Sequence, residues 1–271
     1  MAIVNKVYKL IKYLCYVNLW IAFAAALQYF SWHGFQTTWK LSLQCLFVFF
    51  STVCLYNAQR IWFKPYKESA EIDKRVEWVV TNNRRLKVWA LLSLFFSVLL
   101  VFSFELKQLP VLPVLAFLSI GYSYLPYFNS GLRSLGFFKA AIVAMVWTGV
   151  CLLLGERFYD IFSFQTLYFF LIMYALCLLF DYRDRKRDKM KTPANVLSIN
   201  WFTAMLMVLV VLTILVQFIA FENFAFSSIT FLLLTLLVVF NKKVKNHALF
   251  YSLIVDGFLV IEVLLRYIFI D

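Results

Sequence analysis

Long apolar runs, separated by short polar segments, are what most limits the folds open to this chain. A helix needs about 20 mostly apolar residues to cross the hydrocarbon core of a bilayer. Runs of that kind, some of them slightly short, lie at roughly 10–30, 39–62, 88–104, 109–125, 135–154, 164–180, 196–220, 224–240 and 247–270. Open sheet edges cannot face lipid, so helices are the spanning element. Pro110 and Pro113 fall near the start of the fourth run, where proline is tolerated. The expectation is an all-α integral membrane protein, a nine-transmembrane-helix bundle forming a single domain over 1–271. Charged residues make up 15% of the chain, against about a quarter in a soluble domain. With short loops and 7 glycines, no room remains for a separate soluble domain.

The first run has a basic start and an Ala24-Ala25-Ala26 stretch that could mimic a cleavage region. It is longer than the roughly 7–15 residues of a signal core, so a retained first span is expected. Basic residues set the orientation. With the N-terminus inside, all but Lys40, Lys107, Arg157 and Arg266 of the 26 lysines and arginines fall on cytoplasmic segments, as the positive-inside rule requires. The expected location is therefore the cell membrane, with the N-terminus and the longer loops cytoplasmic and the C-terminus outside. The formal charge of +12 then reads as a topology signal and an attraction to anionic lipid heads. Nucleic-acid binding would need a basic soluble face, and none is available.

Cys15, Cys45, Cys54, Cys151 and Cys177 form no C-x-x-C pair, and all lie in apolar runs, as buried thiols do. His33 and His247 make no metal-ligand pattern. Gln28 and Gln44 read as interhelical hydrogen-bonding groups. Glu262 and Arg266, at i, i+4, read as a pair near the outer end of the last span. Asp256, inside that span, should face the bundle interior, because an unpaired central acid costs about 2.5–3.5 kcal/mol on insertion scales. The loop at 63–87 is longer than most loops in compact domains. Glu71 and Arg75 at i, i+4 suit either a short surface helix or a solvated connector.

The sixth run ends in DYRDRKRDKMKT, residues 181–192. Asp181, Asp184 and Asp188 are spaced i, i+3, i+7, which on a helix places them within about 60° of one another. Arg183, Lys186 and Arg187 point away from that stripe. The row suits Mg²⁺, which is bound by one or two carboxylates together with phosphate oxygens. It equally suits a lattice of ion pairs that ends the helix.

This stretch resembles the second aspartate motif of the UbiA superfamily of intramembrane prenyltransferases, D-x-x-D-x-x-x-D followed by a basic residue and threonine, here Lys191-Thr192. The nine runs and the long loops after the second and sixth are also similar to that family. So are Tyr122-Ser123-Tyr124-Leu125-Pro126 with Lys139, and Asp256-Gly257. The resemblance implies a lateral apolar cavity in which two aspartate motifs hold Mg²⁺ on an isoprenoid diphosphate. The allylic group passes to an aromatic or lipid acceptor. It implies catalytic and metal-binding roles for Asp181, Asp184 and Asp188, and substrate contacts from Tyr124, Lys139, Lys191 and Asp256.

The first motif departs from the family pattern. Where N-D-x-x-D-x-x-x-D is expected, the chain has Asn57-Ala58-Gln59-Arg60-Ile61-Trp62-Phe63-Lys64-Pro65. Ala58, Ile61 and Pro65 cannot ligate a metal, so Mg²⁺ is expected at the second motif only. Asn57, Arg60 and Lys64 share one helix face. They could bind diphosphate directly, or they could pair with the acidic row across the cavity mouth. The alternative function is a catalytically inactive member of the fold that binds an isoprenoid or a lipid. A transporter would need a through-path or inverted repeats with broken helices, which the sequence does not display. The topology predicts that a Lys67→Cys label is reached by impermeant reagents only from the cytoplasmic face; labelling from outside intact cells would overturn it.

Overall fold

The computed structural model describes residues 2–35, 37–62, 74–124, 131–154, 162–185, 191–221, 226–240, 249 and 251–269. Every element among them is helical. In chain order these are α1 (Ala2–Tyr16), α2 (Leu19–Trp32), α3 (Trp39–Ile61), α4 (Lys74–Thr81), α5 (Asn83–Leu100), α6 (Val111–Ser123), α7 (Lys139–Thr148), α8 (Phe164–Asp184), α9 (Pro193–Val196), α10 (Ile199–Phe221), α11 (Phe226–Phe240) and α12 (Gly257–Phe269). Among the described residues, four helices are long and apolar enough to cross a membrane: α3, α5 with its 3₁₀ extension, α8 and α10. A fifth span arises if α1 and α2, bent by 67°, are taken together, and shorter apolar helices occupy Val111–Ser123 and Gly136–Leu152. In the loop at 63–87, for which a short helix and a solvated connector were both open, the described residues include the short helix α4; Glu71 lies outside the described residues.

The expected first run is not one straight helix. It breaks at Val17–Asn18, where Asn18 adopts φ 64°. That left-handed conformation is one that asparagine accepts more readily than other side-chain-bearing residues, and it ends a helix as a C-terminal cap does. The last turn of α1 is left with carbonyls lacking intrahelical donors. α3 supplies the donors. Asn57 Nδ2 donates to the Val17 carbonyl at 3.0 Å, Arg60 Nη1 donates to the Tyr16 carbonyl at 2.9 Å, and Asn18 Nδ2 donates to Asn57 Oδ1 at 2.7 Å.

Helix adjacency closes on itself: α2 packs on α3, α3 on α6, α6 on α7, α7 on α8, α8 on α10, α10 on α11, α11 on α12 and α12 back on α2. α5 sits outside this ring against α3, and its outward residues are exposed leucines and phenylalanines such as Leu91, Leu94 and Phe95. α8 carries Tyr168, Phe169, Ile172, Leu178 and Leu179 in the core.

The polar residues that the sequence placed in early spans act as bridges. Gln28 Nε2 donates to the Leu259 carbonyl at 2.9 Å and to Glu262 Oε2 at 2.8 Å. Arg266 Nη2 donates to Ser31 Oγ at 2.6 Å, Gln28 Oε1 at 3.1 Å and Glu262 Oε2 at 3.2 Å, and its guanidinium lies 3.9 Å over the Trp32 ring. Tyr168 OH donates to Glu262 Oε1 at 3.4 Å. The cluster therefore joins α2, α8 and α12, with Glu262 1% exposed. Gln44 Oε1 accepts from Tyr29 OH at 3.1 Å, and Gln44 Nε2 donates to the Ser103 carbonyl at 3.3 Å.

At the same end of the bundle, outside the spans, Glu105 pairs with Lys40 and, at 2.9 Å, with Lys107. The hydrogen bond from Lys40, followed by that from Lys107, holds the Glu105 carboxyl down at about 2. Its folded pKa is lowered, so the link is complete above the ordinary value of 4.5 and is lost as pH falls towards about 2.

Removing one member of a buried pair leaves an uncompensated charge, at a cost of about 3–5 kcal/mol. Glu262→Ala should therefore lower the melting temperature in detergent sharply, while Lys40→Ala at the exposed link should leave it unchanged. Equal melting of the two variants would contradict this division.

Candidate active site

A cavity of about 320 Å³ lies within the ring, walled by the end of α1 and the break after it, by α2, α3, α6, α7 and α8, and by the start of α12. Its charged side chains come from helix ends. Arg60 stands in the last turn of α3, Lys139 opens α7, and Asp181, Arg183 and Asp184 close α8. Farther into the ring the wall is apolar and aromatic, with Ala25, Tyr56, Trp147, Val150 and Met173. Trp147 Nε1 donates to Tyr56 OH at 3.3 Å, fixing two ring faces in that wall. An aromatic wall with a charged end suits an amphiphile bearing an ionic head.

Lys139 Nζ donates to Asp181 Oδ1 at 2.5 Å, and the two side chains are 10% and 5% exposed. The pair ties α7 to α8. Arg183 donates bidentately to Asp184, Nε to Oδ1 at 2.8 Å and Nη2 to Oδ2 at 2.9 Å, and its guanidinium lies 5.2 Å over the Phe180 ring. Helical projection placed Arg183 away from the acidic stripe, yet its flexible side chain folds back onto the adjacent carboxylate. A half-buried acid attracts the nearest fork-shaped donor more strongly than a hydrated one would.

The other sequence-derived candidates are distributed as follows. Arg60 lines the same cavity as Asp181 and Asp184. Asn57 does not line it: the side chain is fully buried, with its amide engaged by Asn18 and the Val17 carbonyl. Lys64 and Asp188 lie outside the described residues. Tyr124 follows α6, is 55% exposed and is not part of the wall, whereas Tyr122 and Ser123 are. Lys191 is exposed, and its backbone packs so closely on Gly136 that a Cβ there would meet the Lys191 carbonyl oxygen at 2.6 Å. Asp256 lines the cavity from the turn between a π-helical segment, Tyr251–Val255, and α12. A carboxylate just before a helix start is favoured by the helix dipole, which offsets part of its cost within an apolar bundle.

Tyr56, Gln59 and Trp147 were missed in the sequence. Gln59 Nε2 donates to the Ser119 carbonyl at 3.3 Å, joining α3 to α6. A Tyr and a Trp among 31 phenylalanines carry no signal until the helices are placed; Gln59, inside the degenerate first motif, did carry one.

No protein-family model, curated protein or solved structure matches this chain.

Lys139→Ala should strand Asp181 and cost about 3–5 kcal/mol, whereas the double variant Lys139→Met with Asp181→Leu should recover most of the loss. A double-mutant cycle by thermal melting checks this; additive losses would mean the two charges do not interact.

Proposed function

We propose that the chain is a UbiA-like intramembrane prenyltransferase, a nine-span bundle in the cell membrane with its N-terminus and the Arg60 end cytoplasmic. It moves an isoprenoid group from its diphosphate to an aromatic or lipid acceptor. The observation that carries this reading is the cavity itself, with Arg60, Lys139, Arg183, Asp181 and Asp184 gathered where helices end and aromatic walls beyond them. The nine spans would be α2, α3, α5, α6, α7, α8, α10, α11 and α12, with the shorter ones completed by their 3₁₀ and π extensions.

In this mechanism Arg60 and Arg183 bind the diphosphate, and fixed positive charge there stabilises the negative charge that grows as the allylic C–O bond breaks. Tyr56, Trp147 and Phe180 face the developing allylic cation and exclude water. The acceptor captures the cation and loses a proton. Asp181 and Asp184, one helical turn apart, would hold Mg²⁺ jointly with the substrate. Each is engaged by a cation, and among the described residues no group of three His, Cys, Asp or Glu side chains could hold a metal. That donor set fits an ion shared with diphosphate oxygens rather than a cage made by protein alone. When bound there, Mg²⁺ would supply neutralisation of the leaving group. Asp256 and Lys139 would contact substrate from the wall; Tyr124 and Lys191 would do so only after movement.

The ion pairs Lys139–Asp181 and Arg183–Asp184 also favour a second reading, a protein of the same fold that binds an isoprenoid or lipid without transferring it. Purified protein with labelled isoprenoid diphosphates, with and without Mg²⁺, separates the two. For the enzyme, Asp184→Ala abolishes product. Arg60→Ala weakens diphosphate binding roughly ten- to a hundredfold, the range for a hydrogen bond to a charged group, and added Mg²⁺ does not restore it. For the binder, no product forms and neither substitution changes binding of a prenyl alcohol. Robust transfer surviving both substitutions would defeat the assignment, with melting curves controlling for lost fold.

A further inference from the structure

α1 turns aside from α2 by 67° and presents a face that nothing else described covers. Lys6, Val7, Tyr8, Lys9 and Leu10 are all exposed, Val7 by 50% and Leu10 by 58%. Farther along the helix, on the side that carries the lysines, two tyrosines hold it in place. Tyr13 and Tyr16 meet the Trp78 ring of α4 at 6.0 and 5.4 Å, and Trp89 Nε1 donates to Tyr13 OH at 3.0 Å. Val7, Leu10 and Leu14 fall at i, i+3 and i+7, one stripe along the helix. Lys6 and Lys9 are exposed beside its start, Lys12 is half-exposed farther round with its ammonium 5.4 Å over the Tyr16 ring, and α1 contains no acidic residue.

We infer that α1 is an interfacial helix whose partner is an anionic phospholipid surface, at the end of the bundle where Arg60 and Lys139 lie. An apolar stripe flanked by lysines, on an axis steeply inclined to a membrane-crossing helix, seats its apolar side at the acyl boundary and its cations among phosphates. Charge complementarity selects this occupant: a helix with lysines and no acid meets an anionic leaflet without any counter-charge of its own. The arrangement has a consequence for the cavity, because Cys15 in the last turn of α1 and Asn18 at the break both line it. The leaflet surface therefore helps to set the position of one cavity wall. The inference rests on the membrane reading of the apolar helices and not on the proposed reaction.

The test is amide hydrogen exchange of residues 2–16 in the full chain, reconstituted in nanodiscs of phosphatidylcholine alone or mixed with phosphatidylglycerol. Protection of α1 should be higher in the anionic discs, by on the order of fivefold for each lysine engaged. The difference should vanish in about 1 M salt, where screening shortens to about 3 Å, and in the variant Lys6→Gln, Lys9→Gln, Lys12→Gln. The variant Val7→Asp, Leu10→Asp should lose protection in both lipids while the amides of α8 stay protected. Equal α1 protection in the two discs, or protection indifferent to the lysine substitutions, would overturn the inference and leave that face to a protein partner or to solvent.

Discussion

A helix interrupted within an apolar bundle must find new donors for its orphaned carbonyls, and much of this structure follows from how that is done at Val17–Asn18. Left-handed Asn18 ends α1, and α3 answers with Asn57 on the Val17 carbonyl and Arg60 on the Tyr16 carbonyl. Tyr16, Val17 and Asn18 are buried from water, where each unsatisfied group costs several kcal/mol. The same contacts fix where α1 departs and hold the Arg60 side chain against the cavity. They also show what Asn57 and Arg60 do on α3: a helix C-terminus calls for donors and positive charge, and these two side chains supply them.

Two buried ion pairs then anchor the bundle near its two ends. Glu262 and Arg266 are closed in by Gln28, Ser31, Trp32 and Tyr168, so that both Glu262 oxygens and Arg266 Nη2 meet partners from α2 and α8. Lys139 and Asp181 instead form part of a cavity wall. The first cluster is enclosed and joins helices. The second faces the space of the cavity. Buried pairs of this kind contribute less to net stability than their Coulomb energy suggests, but breaking one is costly.

The apolar runs made the helical architecture legible, because long uninterrupted hydrophobicity admits few alternatives. Gln28, Gln44, Glu262 and Arg266 were legible too, since isolated polar groups in apolar helices must find one another. Arg60, Asp181 and Asp184, which line one cavity, were grouped in the sequence by the likeness of NAQRIWFKP and DYRDRKRD to the two motifs of one family. The break at Asn18 escaped notice, because one asparagine in an apolar run is compatible with a straight helix until tertiary donors are known. The role of Asn57 escaped for the same reason: its partners are 39 and 40 residues away. Arg183 was misjudged through helical projection, which locates Cα–Cβ bonds but not the end of a long flexible side chain.

The central claim is that the charged helix ends around the cavity receive a diphosphate whose hydrocarbon tail lies among the aromatic walls. An experimental structure of the protein in lipid with a non-hydrolysable isoprenoid diphosphate analogue and Mg²⁺ tests it most directly. The account predicts phosphate density in contact with Arg60 and Arg183 and tail density against Tyr56 and Trp147. A cavity filled by side chains, or an analogue bound elsewhere with Arg60 still on the Tyr16 carbonyl and no phosphate beside it, would contradict it.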